Sequence, residues 1–315
     1  MTDYKDEIIT KVAWHYYIEN LTQQAIAEKL GISRMRVVKL LDFAKQNGII
    51  QFRIAQNKEK KRLLEKLIFD KYNLEDVFVI PSPKEPSRMN DVLAQSAATY
   101  ISDKMIDMPE PIYVNMGYGD TPSRVLNHLA RTTEVPISVV SLTGGVSYYL
   151  PNTQSNIFNA KLYLYPSPLM LSDKYVCRAL LNEPSVIEIS RMTELASFSI
   201  IGLGSMDSSA TILRNNILSA NDFAYLSMQG AVGDILTHFV DRNGTPIQSM
   251  IEERLISTSL FQLKALNNVI GIAGGMHKLD IIKAALVGGY LDVLITDEET
   301  AAKLVDLEDY ESWKL

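Results

Sequence analysis

The sequence contains a single cysteine among 315 residues, Cys177, so no internal disulfide can form. It also lacks an uninterrupted apolar run of the about 20 residues that a transmembrane helix needs. The first residues carry neither a basic segment nor an apolar segment of a secretory signal. These absences exclude a disulfide-stabilised module and a membrane-spanning protein, and we expect a cytoplasmic protein with no membrane partner.

Positive charge is scarce over the whole chain, where 31 Lys and Arg residues face 37 Asp and Glu residues for a net charge of −6. This balance argues against non-specific binding of nucleic acid by the chain as a whole. The charge is unevenly spread, however, because residues 29–53 carry six basic residues and one acidic residue, a net charge of +5. A small basic segment joined to a large acidic body is therefore the first positive feature.

Signatures of catalysis and of metal or cofactor binding are missing. Cys177 has no base partner in sequence, and Ser205 does not lie in a Gly-x-Ser-x-Gly motif. Neither a nucleotide P-loop nor a dinucleotide-binding glycine motif is present in context. Metal-ligand spacing does not occur among the four histidines, which are His15, His128, His238 and His277. We therefore expect no cofactor, no metal and no catalytic residue.

The basic segment has the pattern of a helix-turn-helix. A small Ala27 allows two helices to cross closely, and Gly31 can adopt the left-handed conformation of the turn. Thr22 and Ser33 are suited to cap the two helices, and residues 49–54 have the pattern of a strand, which indicates a winged variant. The matching positions are Gln23, Ala27, Gly31, Ile32, Ser33, Val37 and Leu40.

The second helix of this motif exposes basic side chains at its N-terminal half, the part that reaches base edges and phosphates in a major groove. We therefore predict that residues 1–55 form a winged helix-turn-helix domain that binds double-stranded DNA. A structural two-helix turn is the alternative reading. The predicted DNA-contacting residues are Thr22, Gln23, Ser33, Arg34, Met35, Arg36 and Lys39.

The remaining residues, 56–315, alternate strand-like and helical segments, which predicts an α/β fold with a parallel, Rossmann-like sheet covered on both faces. Residues 56–72 are expected to form a connecting helix. The predicted strands are 77–80, 112–116, 137–142, 198–203, 269–273 and 293–296, and the predicted helices are 92–105, 122–131, 156–164, 174–182, 279–287 and 298–305. A hairpin is predicted from a strand at 234–241 and a turn at 242–244.

Four glycine-containing loops follow predicted strands, at the sheet edge where ligands of parallel sheets bind. Lys278 could give a full charge to a phosphate, and Thr121 and Thr143 could donate hydroxyl hydrogen bonds. Any one of these loops alone is weak evidence for a ligand site, since glycine after a strand is usually only a turn. The loops contain Gly117 and Gly119, Gly144 and Gly145, Gly202 and Gly204, and Gly274 and Gly275.

In its motifs the chain resembles SorC-type (also called DeoR-type) sugar-binding transcriptional regulators over nearly its whole length. The stretches that carry the resemblance are Lys11-Val-Ala-Trp-His-Tyr-Tyr17, Leu21-Thr-Gln-Gln24 through Ile32-Ser-Arg34, Gly117-Tyr-Gly119 with Thr121, Leu142-Thr-Gly-Gly145, Ile201-Gly-Leu-Gly204, Gly230-Ala-Val-Gly-Asp234, Ala273-Gly-Gly275 with Lys278, and Leu294-Ile-Thr-Asp-Glu298 with Thr300 and Ala301. The stretches Ala210-Thr-Ile-Leu-Arg214 and Gly230 to Asp241 resemble the branch that responds to phosphorylated autoinducer-2.

The resemblance implies an effector domain similar to sugar-phosphate isomerases, a homotetramer and a phosphorylated sugar or polyol as effector. Because one winged helix reads only a few base pairs, we also expect a palindromic operator that binds at least two copies. It implies that the phosphate site is formed by Gly119, Thr121, Gly144, Gly145 and Lys278, and that Asp241 binds ligand hydroxyls. With Gly117 and Thr143 from the loops, these residues are the predicted effector site.

Two residues depart from the family pattern. Asn115 stands where many members have glycine, which bears on the pocket, and Val38 stands where many have serine, which bears on the operator sequence. We predict a regulator of a sugar or polyol catabolic operon, acting as a repressor or an activator, that is not an enzyme. The alternative is a sugar-phosphate isomerase or deaminase-like enzyme with an accessory helical domain.

Overall fold

The computed structural model describes residues 3–46, 48–50, 58–133, 135–145 and 160–306. The chain divides into two compact units, Met1–Gln56 and Asn57–Leu315. Across the described residues, no helix is both long enough and apolar enough to cross a membrane.

The first unit contains three helices, α1 (Asp3–Tyr17), α2 (Gln23–Leu30) and α3 (Arg34–Gln46). Helix α2 begins where the Thr22 hydroxyl accepts the N–H of Ala25 at 3.2 Å, and it ends at Gly31, whose φ of 64° suits glycine. Helix α3 begins where the Ser33 hydroxyl accepts the N–H of Arg36 at 3.2 Å. The three helices enclose a small core of Val12, Ile26, Ala27, Val37 and Leu41.

The predicted wing strand, residues 49–54, is only partly described. Ile49 and Ile50 form a bend after α3 rather than a strand, and the N–H of Ile50 donates to the carbonyl of Ala44 at 3.2 Å. Residues 51–54 lie outside the described residues. The wing therefore stays a prediction.

The second unit is an α/β domain of nine strands and ten helices among its described residues. The strands are β1 (Asp76–Ile80), β2 (Ile112–Met116), β3 (Ile137–Ser141), β4 (Ala160–Tyr163), β5 (Phe198–Ser205), β6 (Gly233–Ile235), β7 (His238–Val240), β8 (Val269–Ile272) and β9 (Val293–Asp297). The helices are α4 (Lys58–Tyr72), α5 (Met89–Met105), α6 (Asp120–Thr132), α7 (Lys174–Leu181), α8 (Pro184–Met192), α9 (Thr211–Arg214), α10 (Ala220–Met228), α11 (Leu260–Leu263), α12 (Leu279–Val287) and α13 (Glu298–Leu304).

Seven strands pair in parallel in the order β1-β9-β8-β5-β2-β3-β4. Successive residues of β9 point to opposite faces, so that Leu294 joins one apolar cluster and Ile295 the other. Helices α4, α12 and α13 cover the first face, and α5 and α6 cover the second. The predicted α/β class, with an N-terminal helical unit and a parallel sheet, is confirmed.

Two predicted segments differ from the structure. Residues 160–163, predicted as part of a helix, form strand β4 at the edge of the sheet, while residues 156–159 lie outside the described residues. Residues 234–241, predicted as one strand, turn back at Leu236 and Thr237 to form β6 and β7. Both turn residues have a positive φ, 52° and 69°, which side chains other than glycine rarely adopt, so the sequence gives no turn signal there. The predicted turn at 242–244 does follow β7, and Val240 bridges to Pro246.

Candidate functional site

A cavity of about 240 Å³ opens at the point where the strand order of the sheet reverses. The next parallel strand after β2 is β3, which lies on one side of it. After β5 and the hairpin of β6 and β7, the next parallel strand is β8, which lies on the other side. Ligands of open α/β sheets bind in the crevice beyond the carboxyl ends of two such strands. Both strands contribute to the walls of this cavity, β2 through the residues that follow it and β5 through its last residues, Gly202 to Ser205.

The first turn of α6 forms one wall of the cavity. Gly119 ends the loop after β2 with a φ of 137°, and Asp120 begins the 13-residue helix. The first N–H groups of a helix have no acceptor within it and carry its positive pole. Because Gly119, Asp120 and Thr121 all line the cavity, this pole faces the space where a ligand would lie.

Three cationic side chains line the cavity, and they differ in how they are paired. Arg124 is held by Asp120, with 3.0 Å between Nε and Oδ2. Arg214, at the end of α9, is exposed. Lys278 follows β8 and is half-buried, and its ammonium forms no ion pair or hydrogen bond with any residue of the described ranges. Burial lowers the pKa of Lys278, because removing the ammonium from water disfavours its charged form.

Asp234 provides a carboxylate in the same cavity. Burial raises its pKa to about 6, although the carboxylate accepts the N–H of Thr237 at 3.0 Å and is near the charge of Lys278. Gly204 makes room for this side chain, because a Cβ at that position would lie 1.9 Å from Oδ1 of Asp234. The tight turn at Leu236 and Thr237 therefore fixes the carboxylate against the end of β5.

His277 precedes Lys278 and also lines the cavity. A Cβ on Gly275 would lie 3.0 Å from the imidazole, which shows how closely the ring packs on the loop backbone. Burial, and then the charge of Lys278, lower the pKa of His277. The ring is consequently neutral near pH 7 and can either donate or accept a hydrogen bond.

The structure brings together three of the predicted effector residues. Gly119, Thr121 and Lys278 line the cavity. Gly117 lies on the preceding backbone, where its N–H donates to the carbonyl of Ile200 at 2.8 Å and a Cβ would lie 2.7 Å from the side chain of Leu236. It permits close packing and is not part of the lining.

The loop after β3 was predicted to form part of the effector site, but in the structure it does not line the cavity. The N–H groups of Gly144 and Gly145 donate to the carbonyls of Ile256 and Ser167, both at 2.8 Å. A Cβ on Gly144 would lie 2.3 Å from the carbonyl oxygen of Pro168. Thr143, which bridges to Ser257, is fully buried. These three residues are therefore engaged by neighbouring chain segments and do not line the cavity.

Asp241 also lies outside the cavity lining. Its Oδ1 accepts the N–H groups of Asn243 and Thr245 at 2.9 and 2.8 Å, and so it closes the turn after β7. Asp234, seven residues earlier, does line the cavity, as does Asp120 at the start of α6. Asn115 lies within β2, and its amide donates to Ser199 and to the carbonyl of Thr193. Its departure from the family pattern therefore does not alter the cavity wall.

Several cavity residues were not predicted. Arg214 and Asp234 end two of the stretches that carry the family resemblance, so a signal for them was present in the sequence. Arg124 and Asn90 could not have been found, because they reach the cavity only through the packing of α6 and α5 around Asp120. Within the described ranges, no group of three or more His, Cys, Asp or Glu residues could hold a metal ion.

The predicted DNA-contacting residues divide into two groups. Arg34, Met35, Arg36 and Lys39 are exposed on the first part of α3, and Met35 shows 66% of its surface to solvent. Thr22 and Ser33 are helix caps, and Gln23 begins α2 as a half-buried residue. An exposed basic surface at the start of the second helix is the arrangement that helix-turn-helix proteins use for DNA.

Comparisons with known proteins agree with this picture. Residues 56–306 match the family with the description "Putative sugar-binding domain". The chain is 31% identical to the transcriptional regulator LsrR of Klebsiella pneumoniae over 307 residues, 96% of this chain and 94% of that protein. It is 31% identical to LsrR of Escherichia coli K12 over 305 residues, 96% of this chain and 95% of that protein.

Solved structures share the fold. The full-length sorbitol operon regulator SorC from Klebsiella pneumoniae superposes with a TM-score of 0.70 at 24% identity, over 95% of this chain and 98% of that one. A domain of a possible sugar-binding transcriptional regulator from Arthrobacter aurescens TC1 superposes with a TM-score of 0.67 at 26% identity, over 80% of this chain and all of that one.

The fold and the cavity define a regulator with an N-terminal helical unit and an α/β ligand-binding domain. The chain belongs to the SorC-type (DeoR-type) family of sugar-binding transcriptional regulators. The relatives are transcriptional regulators and not enzymes, which confirms the expected class over the enzyme alternative. An operator DNA and a sugar effector follow as its two kinds of ligand.

Proposed function

We propose that this regulator controls a sugar or polyol catabolic operon and that its effector is a phosphorylated sugar or polyol bound in the cavity at the switch point. The observation that carries this proposal is Lys278, a half-buried ammonium in the same cavity as the first turn of α6, which forms no ion pair with any of the described residues. A phosphate would supply the missing partner and would accept N–H hydrogen bonds from the helix.

The polar groups near the phosphate position suit a sugar or a polyol. Asp234 and Ser205 lie on the β5 side of the cavity, and Asn90 lies on the α5 side. Carboxylate and amide oxygens accept hydrogen bonds from hydroxyl groups, whereas a carboxylate repels phosphate. The cavity therefore offers cationic side chains and a helix N-terminus to an anionic group, and a carboxylate and other polar side chains to hydroxyl groups. The printed name of one relative, a sorbitol operon regulator, agrees with a polyol among the candidate effectors.

We assign DNA binding to the exposed basic surface of α3. One helix-turn-helix reads only a few base pairs, so useful specificity requires at least two copies on a palindromic operator. A homotetramer in the cytoplasm, with the second unit supplying the contacts between copies, satisfies this requirement. Light scattering tests the assembly, and a monomer at micromolar concentration with and without operator DNA would contradict it.

A thermal-unfolding screen of paired ligands tests the effector class. Each sugar or polyol is presented in its free and its phosphorylated form, to the wild-type protein and to Lys278→Met. A specific ligand at a hundred times its Kd adds about 2.7 kcal/mol to the free energy of unfolding. We expect stabilisation of the wild type by one phosphorylated form only, and a loss of this response in Lys278→Met. Equal stabilisation by the free form would disprove the phosphate assignment.

A further inference from the structure

Helix α13 is attached at its first turn to the loop that presents Lys278. The carboxylate of Asp297, the last residue of β9, is completely buried and accepts the N–H of Gly275 at 2.9 Å. The hydroxyl of Thr300, also completely buried, accepts the same N–H at 2.8 Å. The N–H of Lys278 in turn donates to the carbonyl of Gly275 at 3.0 Å. Two side chains at the start of α13 therefore hold the backbone of the cavity loop, residues 274–278.

Asp297 is also joined to the loop that follows β1, because Ser82 donates its hydroxyl to Oδ2 at 2.6 Å. With Gly275 and Thr300, the carboxylate thus accepts hydrogen bonds from three chain segments. A buried carboxylate with its acceptor sites filled in this way has one stable arrangement, since losing one partner leaves a charge without compensation. The loop cannot shift without a shift of Asp297 or of α13.

The other end of α13 is attached to the connecting helix. The carbonyl of Leu304, the last residue of α13, accepts a hydrogen bond from the ammonium of Lys71 at 2.9 Å and from the hydroxyl of Tyr72 at 3.1 Å. Lys71 and Tyr72 are the last two residues of α4. Both side chains donate to a carbonyl for which its own helix provides no N–H donor.

The body of α13 packs against α4 between these two ends. Ala301 and Leu304 are completely buried in the same apolar cluster as Leu64 and Ile68 of α4. The packed interior of a protein transmits a displacement because it has few voids to absorb it. Helix α4 begins at Lys58, just after the end of the first unit at Gln56, so it is the element from which the chain runs to the helix-turn-helix.

We propose that α13 is a strut that couples the cavity loop to the connecting helix, with Asp297 and Thr300 as its attachment at one end and Leu304 as its attachment at the other. The proposal rests on the proposed function, because an anionic effector bound to Lys278 would be what displaces the loop. Asp297 and Thr300 act in it as positioning residues, which hold Lys278 through the backbone of Gly275 and do not touch the ligand.

Hydrogen–deuterium exchange on the full-length protein without ligand tests the strut directly. One variant, Thr300→Val, removes a hydroxyl at the loop end, and the double variant Lys71→Met/Tyr72→Phe removes both donors at the α4 end. Loss of a hydrogen bond of ordinary strength changes a local opening equilibrium by about three- to tenfold. We expect each variant to raise exchange by that factor at the opposite end also, in residues 58–72 and 274–278 respectively.

Two control variants separate coupling from general loosening. Thr300→Ser keeps the hydroxyl and should exchange like the wild type. Lys303→Met changes an exposed side chain of the same helix, which has no ionic or hydrogen-bond partner within the described ranges, and should leave both ends unchanged. If Thr300→Val loosens only the loop and Lys71→Met/Tyr72→Phe loosens only α4, the strut is disproved.

A second arm adds saturating inorganic phosphate as the probe. We expect protection of residues 274–278 and of residues 58–72 in the wild type, and protection of the loop alone in Lys71→Met/Tyr72→Phe. Equal protection of α4 in both proteins would overturn the strut. Absence of loop protection in the wild type would instead count against the anion site of the proposed function, while the measurements without ligand still decide the strut.

Discussion

Lys278 and Asp234 line the same cavity and each alters the ionisation of the other, yet their side chains form no ion pair. Lys278 follows β8, and Asp234 lies in β6 against the end of β5. Burial disfavours both charges, lowering the pKa of the ammonium and raising that of the carboxyl. The effector proposed above carries both an anionic group and hydroxyl groups, and it would give each of these two side chains a binding partner.

The raised pKa of Asp234 predicts how stability depends on pH. A carboxyl whose pKa rises from 3.8 in the unfolded chain to about 6 in the folded protein holds a proton that the unfolded chain releases. The free energy of unfolding therefore falls as pH rises from about 4 to above 6. Because the residue is only partly withdrawn from water, we expect this loss to be about 1–3 kcal/mol.

Asp234→Asn should abolish this loss, because an amide keeps the acceptor for Thr237 and does not ionise. Urea unfolding between pH 4 and pH 8 measures the difference, and the variant should be the more stable protein at pH 8. Asp103→Asn, which removes an exposed carboxylate from α5, should follow the wild-type profile. Parallel profiles for Asp234→Asn and the wild type would show that Asp234 ionises freely.

A second prediction concerns the free energy that the burial of the Lys278 ammonium costs the folded protein. Replacing the ammonium by the methyl end of methionine removes a half-buried charge, so Lys278→Met should raise the free energy of unfolding without ligand by about 1 kcal/mol. The same variant should lose the stabilisation that inorganic phosphate gives, since a charge-assisted hydrogen bond contributes about 1.5–3 kcal/mol. Chemical unfolding with and without phosphate measures both effects, with Lys303→Met as the control. A response to phosphate that survives in Lys278→Met would refute the site.

The sequence could predict the elements of this fold, and it could predict part of the site. Strands β2, β3, β8 and β9 were found because parallel strands buried on both faces read as continuous apolar runs. Strand β4 was missed because it lies at the sheet edge and is only half-buried, so its pattern does not differ from that of a helix.

Asp234 was not predicted as an effector residue although it lines the cavity, and the reason is structural. Asp241 precedes an Asn-Gly pair and was predicted to bind ligand, whereas its side chain closes the turn that this pair forms. Asp234 reaches the cavity because Leu236 and Thr237 adopt a turn that their residue types disfavour. Propensities that act over a few residues cannot reveal a turn that is imposed by the neighbouring strand β5.

Two glycines at strand ends should respond differently to alanine. The atoms nearest to a Cβ on Gly204 would belong to the side chain of Asp234, with Oδ1 at 1.9 Å, whereas a Cβ on Gly144 would meet the backbone oxygen of Pro168 at 2.3 Å. A side chain can turn away, but backbone held by neighbouring hydrogen bonds cannot. We therefore expect Gly144→Ala to lower the free energy of unfolding by about 1–3 kcal/mol or more, and Gly204→Ala to cost less while blocking ligand binding.

A double variant sharpens this prediction. In an Asp234→Ala background the added methyl group of Gly204→Ala meets no carboxylate, so the cost of Gly204→Ala should disappear there. Urea unfolding of the two single variants and the double variant measures the interaction. Simple additivity of the two changes would mean that Gly204 is required for another reason than room for Asp234.

The last prediction concerns the basic surface of α3. Arg36 is exposed in the first turn of the helix, where side chains of a recognition helix reach base edges, whereas Lys45 is exposed in its last turn. If Arg36 contacts a base, Arg36→Ala should weaken operator binding by about 1–3 kcal/mol. Lys45→Ala, which removes the same charge from the same helix, should change the affinity much less. Mobility-shift titration at one fixed salt concentration compares the two variants on an operator selected from random sequence.

Since neither side chain lies in the second unit, both variants should keep the wild-type response to phosphate in thermal unfolding. Equal losses in the two variants would show that α3 acts through its net charge alone, and wild-type affinity in Arg36→Ala would remove this residue from the recognition surface.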